Sequence, residues 1–410
     1  MRYGPAVPAT ERTGEPVVDH VTLDAERIAV GGDAIGHAPD GRVVFIAGLV
    51  PGERGTVRIR DQRARHGFAD VETVLTPSPD RRDALCPHVA AGCGGCDWLH
   101  ISDDRQRQLR REMVADAFAH NAGLTVPAIA TVALPETAYR TTIRVAAGPT
   151  GAGFHARRTD RVVPVDSCLV AHPRAEDLLV SGDFGEAVEA VVRVGANTGD
   201  RLVLASPTAE GVRMPDDVLV VGRDELAAGR RAWSHEEING HRFRISADSF
   251  FQASAVGASA LMEVVTEALA GCDGTVLDAY AGVGLFSKPL VADHRVIAVE
   301  RSSSSTADAR INLGPDARVI RSAFERWRPR PVDAAVADPA RRGLGQAGVD
   351  RLLAAAPRRI VLVSCDAASA ARDVCLLVER GSTVESMTLV DQFPGTSHVE
   401  LVTVLDGPGR

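Results

Sequence analysis

The chain almost lacks lysine: among 46 basic residues Lys288 is the single one. Its cationic surface is therefore an arginine surface, and the plainest source of that bias is a GC-rich coding sequence. No apolar run approaches the roughly 20 residues that a membrane span needs. The opening stretch MRYGPAVPATERTGEPVVDH has no cationic-plus-apolar signal pattern. A Gly-Lys-Ser/Thr triplet is absent too, which excludes a P-loop. These absences lead to the expectation of a cytoplasmic protein without a membrane partner. Thiols stay reduced there, so the seven cysteines are not read as a disulfide framework.

What is present points to several domains, since 410 residues exceed what one core usually holds. A net charge of −8 argues against nucleic acid only as an average, because the arginines come in runs. RGTVRIRDQRARH carries Arg54, Arg58, Arg60, Arg63 and Arg65, and HARRTDRVV carries Arg157, Arg158 and Arg161. Each run is either a phosphate-binding strip or an ordinary solvated strand face.

Residues 1–16, rich in Pro, Gly and Thr, read as a flexible arm. Residues 17–77 alternate apolar and polar in short segments separated by Gly, Asp and Pro, which predicts a small OB-like β-barrel. A central, mainly β domain follows over 78–245. It includes a helix over 102–122, with Ser102 as its cap, Asp103 and Asp104 at its positive end and Gly123 as its stop; this helix is free to pack on the last domain. From 246 to 410 apolar strands with polar tips alternate with amphipathic segments. The last two strands, VESMTLVDQF and HVELVTVLD, have no helix between them. The fold class is thus α/β, with a carboxy-terminal doubly wound, Rossmann-like domain closed by an antiparallel pair.

Ligands of such sheets sit beyond the carboxyl ends of the strands. Those ends carry Asp278 and Tyr280, Glu300, Asp338 and Cys365. In DAYAGVG, Gly282 and Gly284 permit a tight turn, and Glu300, eighteen residues beyond Gly282, is placed to accept ribose hydroxyls. Ser287 stands where a GxGxxG dinucleotide loop needs its third glycine, which favours S-adenosylmethionine over a nicotinamide. ADPA, with Asp338, offers neither the amide nor the aromatic stack used on exocyclic amines, so methylation at carbon becomes the candidate chemistry. The C5 atom of uracil is a poor nucleophile until a thiolate adds at C6. Cys365 suits that attack, Glu400 could remove the C5 proton, and Arg341, Arg342 or His398 could favour the thiolate. The alternative for Cys365 is plain packing. A second set, Cys86, Cys93 and Cys96 with Cys168 as a possible fourth, suggests a metal or iron–sulfur centre, with structural zinc and an empty loop as the other readings. Cys272 and Cys375 read as ordinary buried residues.

Together these segments resemble the S-adenosylmethionine-dependent RNA uracil-C5 methyltransferases, over about residues 17–406. GGDAIGHAPDGRVVFIAGLVPGERGTVRI is similar to that family's TRAM domain, which implies RNA binding. CPHVAAGCGGCDWLH with Cys168 is similar to its four ligands for a 4Fe–4S cluster, which implies iron–sulfur rather than zinc. The resemblance of SADSFFQAS, DAYAGVGLF, AVE and ADPA implies that Gln252, Tyr280, Glu300 and Asp338 contact S-adenosylmethionine. VSCDAASAARD and FPGTSHVELV carry its nucleophile, Cys365, and its proton acceptor, Glu400. Leu99, Ala340 and Ala367 depart from the family pattern of Gln, Pro and Pro. Members with both barrel and cluster imply a large-subunit rRNA uridine as substrate, with no obligate protein partner. The alternatives are a tRNA uridine, a cytosine C5 acceptor, or an RNA-binding paralogue that has lost the reaction.

Overall fold

A computed structural model describes residues 20–148 and 151–408. The arm expected at 1–16 lies outside the described residues. Internal contacts group the chain into two compact units, one mainly of residues up to Arg81 and one mainly of Arg82–Arg410.

The first unit is built from β1 (His20–Asp24), β2 (Arg27–Ile28), β3 (Ala34–His37), β4 (Val43–Ala47), β5 (Arg54–Gln62) and β6 (His66–Thr76). Among the described residues they form one sheet in the order β1-β5-β6-β4-β3-β2, antiparallel at every pairing except β4–β6. Alternation drives it: Val44 and Ile46 face the core while Phe45 between them is half-buried. Buried Glu53 is held by Arg81 through two bonds of 2.6 Å and by the Val50 and Ser78 amides. Of the arginines in the 54–66 run, Arg58 and Arg60 in β5 and Arg63 just beyond it pair with nearby acids, which suits the solvated-face reading of the run. Arg60 lies 2.8 Å from Asp70, Arg58 3.6 Å from Glu72 and Arg63 3.3 Å from Asp61.

In the second unit, α1 (Asp103–Ala122) is followed by β7 (Ile129–Val132). Ser102 occupies the expected cap position of α1, with an extended backbone and its carbonyl accepting the Gln106 amide at 2.9 Å, but makes no side-chain cap bond. Arg82 instead grips Asp103 with two bonds of 2.6 and 2.7 Å. Gly123 ends the helix in the left-handed region at φ 62°, as glycine can without strain. A second sheet, again among the described residues, runs β10-β9-β8-β11-β12-β13, from β8 (Thr142–Gly148), β9 (Gly151–His155), β10 (Val162–Pro164), β11 (Glu189–Val194), β12 (Arg201–Ser206) and β13 (Val218–Gly222). Its core joins Ile143, Val145, Val192 and Val203 with Leu178 and Leu179 of α2 (Pro173–Ser181). After α3 (Arg223–Ala227) comes the hairpin of β14 (Trp233–Ile238) and β15 (His241–Ser246).

The remaining elements are α4 (Ala255–Ala268), β16 (Thr275–Ala279), α5 (Ser287–Leu290), β17 (Arg295–Glu300), α6 (Ser303–Leu313), β18 (Ala317–Arg321), β19 (Ala334–Ala337), α7 (Gly345–Leu353), β20 (Arg359–Ser364), α8 (Ala367–Val378), β21 (Thr383–Val390) and β22 (Leu401–Asp406). Their sheet runs β18-β17-β16-β19-β20-β22-β21-β7. β16 to β20 are parallel, and β22 lies antiparallel to both β20 and β21. The order reverses at β16, the crevice where such sheets take ligands. One feature runs against the sequence order: β7, from the middle of the chain, adds parallel to the β21 edge. Residue 246 thus marks a change of texture inside one unit.

Candidate active site

The strand-end residues gather on one sheet edge. Asp278 lies in β16 with Tyr280 just beyond it, Glu300 ends β17, Asp338 follows β19 and Cys365 follows β20. Because β22 runs the opposite way, its start reaches the same edge. Leu401 pairs with Ser364, so one further step of the register sets Glu400 opposite Cys365.

These groups crowd one another electrostatically. Burial pushes the Asp278 carboxyl up to about 7; a bond from Ser287 at 2.5 Å opposes the shift and the Glu300 charge adds to it. Burial and the charge of Asp278 raise Asp338 to about 7 as well. Glu400 is raised well above the ordinary carboxylate range by burial and by Asp338. The Cys365 thiol is pushed up to about 12 by burial, then by Glu400 and Asp338, while Arg341 acts in the other direction. Arg341 also lies 3.2 Å from the His398 ring nitrogen. A thiol, a carboxyl and a cation therefore meet where a base and a nucleophile would be needed.

The residues beside them suit a nucleoside donor. Asp278 is fully buried, and its Oδ1 has no hydrogen-bond partner among the described residues. The Glu300 oxygens accept the Gly282 amide at 3.0 Å and the Ser302 amide at 2.6 Å, which leaves each oxygen a further lone pair. Gly282 adopts φ +56°, and a Cβ built there would meet open space. Tyr280 is held at φ 64°, a strained value for a side chain of its size. Its hydroxyl donates to Glu325 at 2.7 Å and its ring packs on Phe324. Gln252 is buried, and its Oε1 accepts a bond from Gln392 Nε2 at 2.9 Å. An orphaned acid, an open glycine turn and a ribose-type carboxylate fit S-adenosylmethionine. Phe250, two residues before Gln252, is 68% exposed.

Cys86, Cys93, Cys96 and Cys168 also come together, around a cavity of about 140 Å³ shared with Arg140 and Leu99. Burial raises the Cys96 thiol to about 12 and also raises Cys93 and Cys168, and the thiols disfavour each other's charge. Among the described residues, no group of three or more Cys, His, Asp or Glu is arranged to hold a metal ion. All four thiols line that cavity, a donor set of soft sulfur. Four soft donors around a chamber fit a soft-metal group. Cys272 and Cys375 are both partly exposed, which corrects the expectation that they are buried.

No family model matches the chain. A protein of Streptomyces avermitilis described as an uncharacterized RNA methyltransferase is 33% identical, over 92% of this chain and 96% of its own length. One from Streptomyces coelicolor with the same description is also 33% identical, over 96% and 95%. In three dimensions the chain is similar to the Pyrococcus abyssi tRNA (uracil-54, C5)-methyltransferase in complex with S-adenosyl-L-homocysteine. The TM-score is 0.73 at 23% identity, over 93% of this chain and 99% of that one.

Proposed function

The chain belongs to the RNA methyltransferase family, and from that premise we propose that it methylates C5 of a uridine in RNA through a transient bond between Cys365 and C6. The observation that carries this reading is the register of β20 against β22, which sets a thiol opposite a buried carboxyl. S-adenosylmethionine, when bound, supplies an electrophilic methyl carbon. Asp278, Glu300, Tyr280, Asp338 and Gln252 line its place and orient it. Cys365, once deprotonated, adds to C6; the C5–C6 π pair shifts between C4 and C5 and the C4–O4 π pair moves onto O4, giving an enolate whose C5 is nucleophilic. Arg341 favours the thiolate. Once C5 has taken the methyl, the methyl–sulfur bond having broken to leave S-adenosylhomocysteine, Glu400 takes the C5 proton, the C5–C6 double bond re-forms, and the C6–S bond breaks to return the thiolate.

Cys86, Cys93, Cys96 and Cys168 would hold a 4Fe–4S cluster, which ties together chain segments that lie far apart in sequence. The target base must leave its stack to bring C6 to the thiol. We take a large-subunit rRNA uridine as the substrate, because the amino-terminal sheet and the cysteine set occur together. A tRNA uridine is the second reading, in line with the tRNA enzyme that shares the fold.

The test uses RNA containing 5-fluorouridine. Fluorine at C5 cannot leave as a proton, so wild-type protein with the donor should end as a denaturation-stable conjugate, and Cys365→Ala should give none. Turnover that survives in Cys365→Ala, or active protein that never yields a conjugate, would sink the reading. RNA binding without any methylation would mark a silent paralogue.

A further inference from the structure

The segment Asp391–Val399 connects β21 to β22 and delivers Glu400 to the sheet edge. Several polar groups of its backbone are held from residues 97–139, far away in the chain. Arg110, on α1 and only 1% exposed, donates from Nη2 to Thr396 O at 2.6 Å and to Phe393 O at 3.2 Å. Its Nη1 lies 2.9 Å from the carboxylate of Asp391, itself 2% exposed. One turn earlier, Gln106 Oε1 accepts the Gly395 amide at 2.8 Å, and the Tyr139 hydroxyl donates to Pro394 O at 2.9 Å. Asp97 takes the Ser397 amide at 2.9 Å and its hydroxyl at 2.8 Å. The far end is tied as well, since the Val390 amide donates to Glu400 O at 2.8 Å.

A buried ion pair is costly unless its geometry is well satisfied, and here each member also serves the loop. Cys365 is held quite differently, by β20 and by the start of α8, where Asp366 accepts the Ser369 amide at 2.8 Å. The nucleophile and the base share the β20–β22 pairing, but the bonds of Arg110 to Thr396 and Phe393 and its pairing with Asp391 bear on the Glu400 loop and not on the Cys365 turn. We propose that Arg110 is a positioning residue for Glu400: it fixes the loop so that the carboxylate reaches the C5 proton, while the attack of Cys365 does not depend on it. This rests on the roles proposed above for Cys365 and Glu400. A base out of hydrogen-bond reach does not act.

The consequence is a reaction that stalls in one place. With a displaced Glu400 the C6–S bond and the C5–CH3 bond still form, but the C5 proton stays, and the methylated RNA remains attached to the protein. Arg110→Lys keeps the charge and loses the planar fork; Tyr139→Phe deletes one bond to the same loop. For each, two quantities are compared with wild type: capture of 5-fluorouridine RNA, which needs no proton removal, and turnover on ordinary uridine RNA. Arg110→Lys should lower turnover by about 10²-fold, the scale of a small misplacement. Capture should stay unchanged, and a labelled-methyl conjugate should build up on ordinary RNA. Tyr139→Phe should show the same partition, more weakly. Capture and turnover that fall together, or that both stay at the wild-type level, would overturn the proposal. If Arg110→Lys gives no cooperative melting transition, the partition in Tyr139→Phe decides alone. Wild-type protein that captures no 5-fluorouridine RNA would instead refute the Cys365 chemistry itself.

Discussion

At the scale of single residues, the position of the cysteine does not by itself make a nucleophile. Burial and two neighbouring acids push the Cys365 thiol up to about 12, so near neutrality it is overwhelmingly protonated. Thiolate is the attacking species, so capture of 5-fluorouridine RNA should accelerate roughly tenfold per pH unit through the neutral and mildly alkaline range. Arg341 is the cation that opposes the shift. Removing it as Arg341→Ala should slow capture at pH 7.5 by about three- to tenfold, as expected for a partly solvated charge, and by the same factor across the neutral and mildly alkaline range, since both thiols stay far below their titration there. Single-turnover capture rates across pH check both points, and an Arg341→Ala rate equal to wild type would remove Arg341 from the site. Cys365 and Glu400 stood out in the sequence because each ends or begins an apolar strand, and the register of β20 against β22 brings those two strand ends together. Gln392 was not legible. Its bond to Gln252 joins residues 140 positions apart, and no periodicity announces such a pair.

At the scale of elements, the five-arginine run 54–65, three of whose members lie in β5, shows that charge read along a chain leaves out its partners. The run faces acids supplied by its own sheet neighbours, Asp70 and Glu72 on β6, and by Asp61 in β5 itself. Surface pairs of this kind add little stability, but they reduce the potential a phosphate would meet. Each true phosphate contact contributes about one unit to the slope of log affinity against log salt. Arg60→Gln should therefore leave that slope for RNA unchanged, and filter binding at several salt concentrations would reveal a drop of about one unit if Arg60 does meet phosphate. The doubly wound sheet was legible for the opposite reason: its buried parallel strands are continuous apolar runs, each closed by a polar tip. β7 was hidden because an edge strand of four residues carries too little pattern. The clamp of α1 on the Glu400 loop was hidden because it depends on tertiary partners hundreds of positions away.

At the scale of the whole molecule, the site weakens the fold that holds it, and the sign can be worked out. Asp278 and Asp338 have an ordinary carboxyl value of 3.8 and are raised to about 7 in the folded protein. Between those values the folded state keeps protons that the unfolded chain releases, so this contribution is full below about pH 4 and is lost as pH rises through 7. Glu53 and Asp103 work in reverse: arginine partners hold both below their ordinary values in spite of burial. Their stabilisation is present above about pH 4 and disappears in acid. The melting temperature should therefore peak between these limits, near about pH 5, and decline toward pH 8. Asp338→Asn removes one of the charges forced into the site. It should raise the melting temperature at pH 8 more than at pH 5, and abolish methylation if Asp338 orients the donor. Thermal melts of both proteins at the two pH values provide the check; an equal change at each pH would mean that Asp338 ionises in the folded protein as it does in water. A gain in stability paired with a loss of turnover would mark the crowded acids as kept for chemistry.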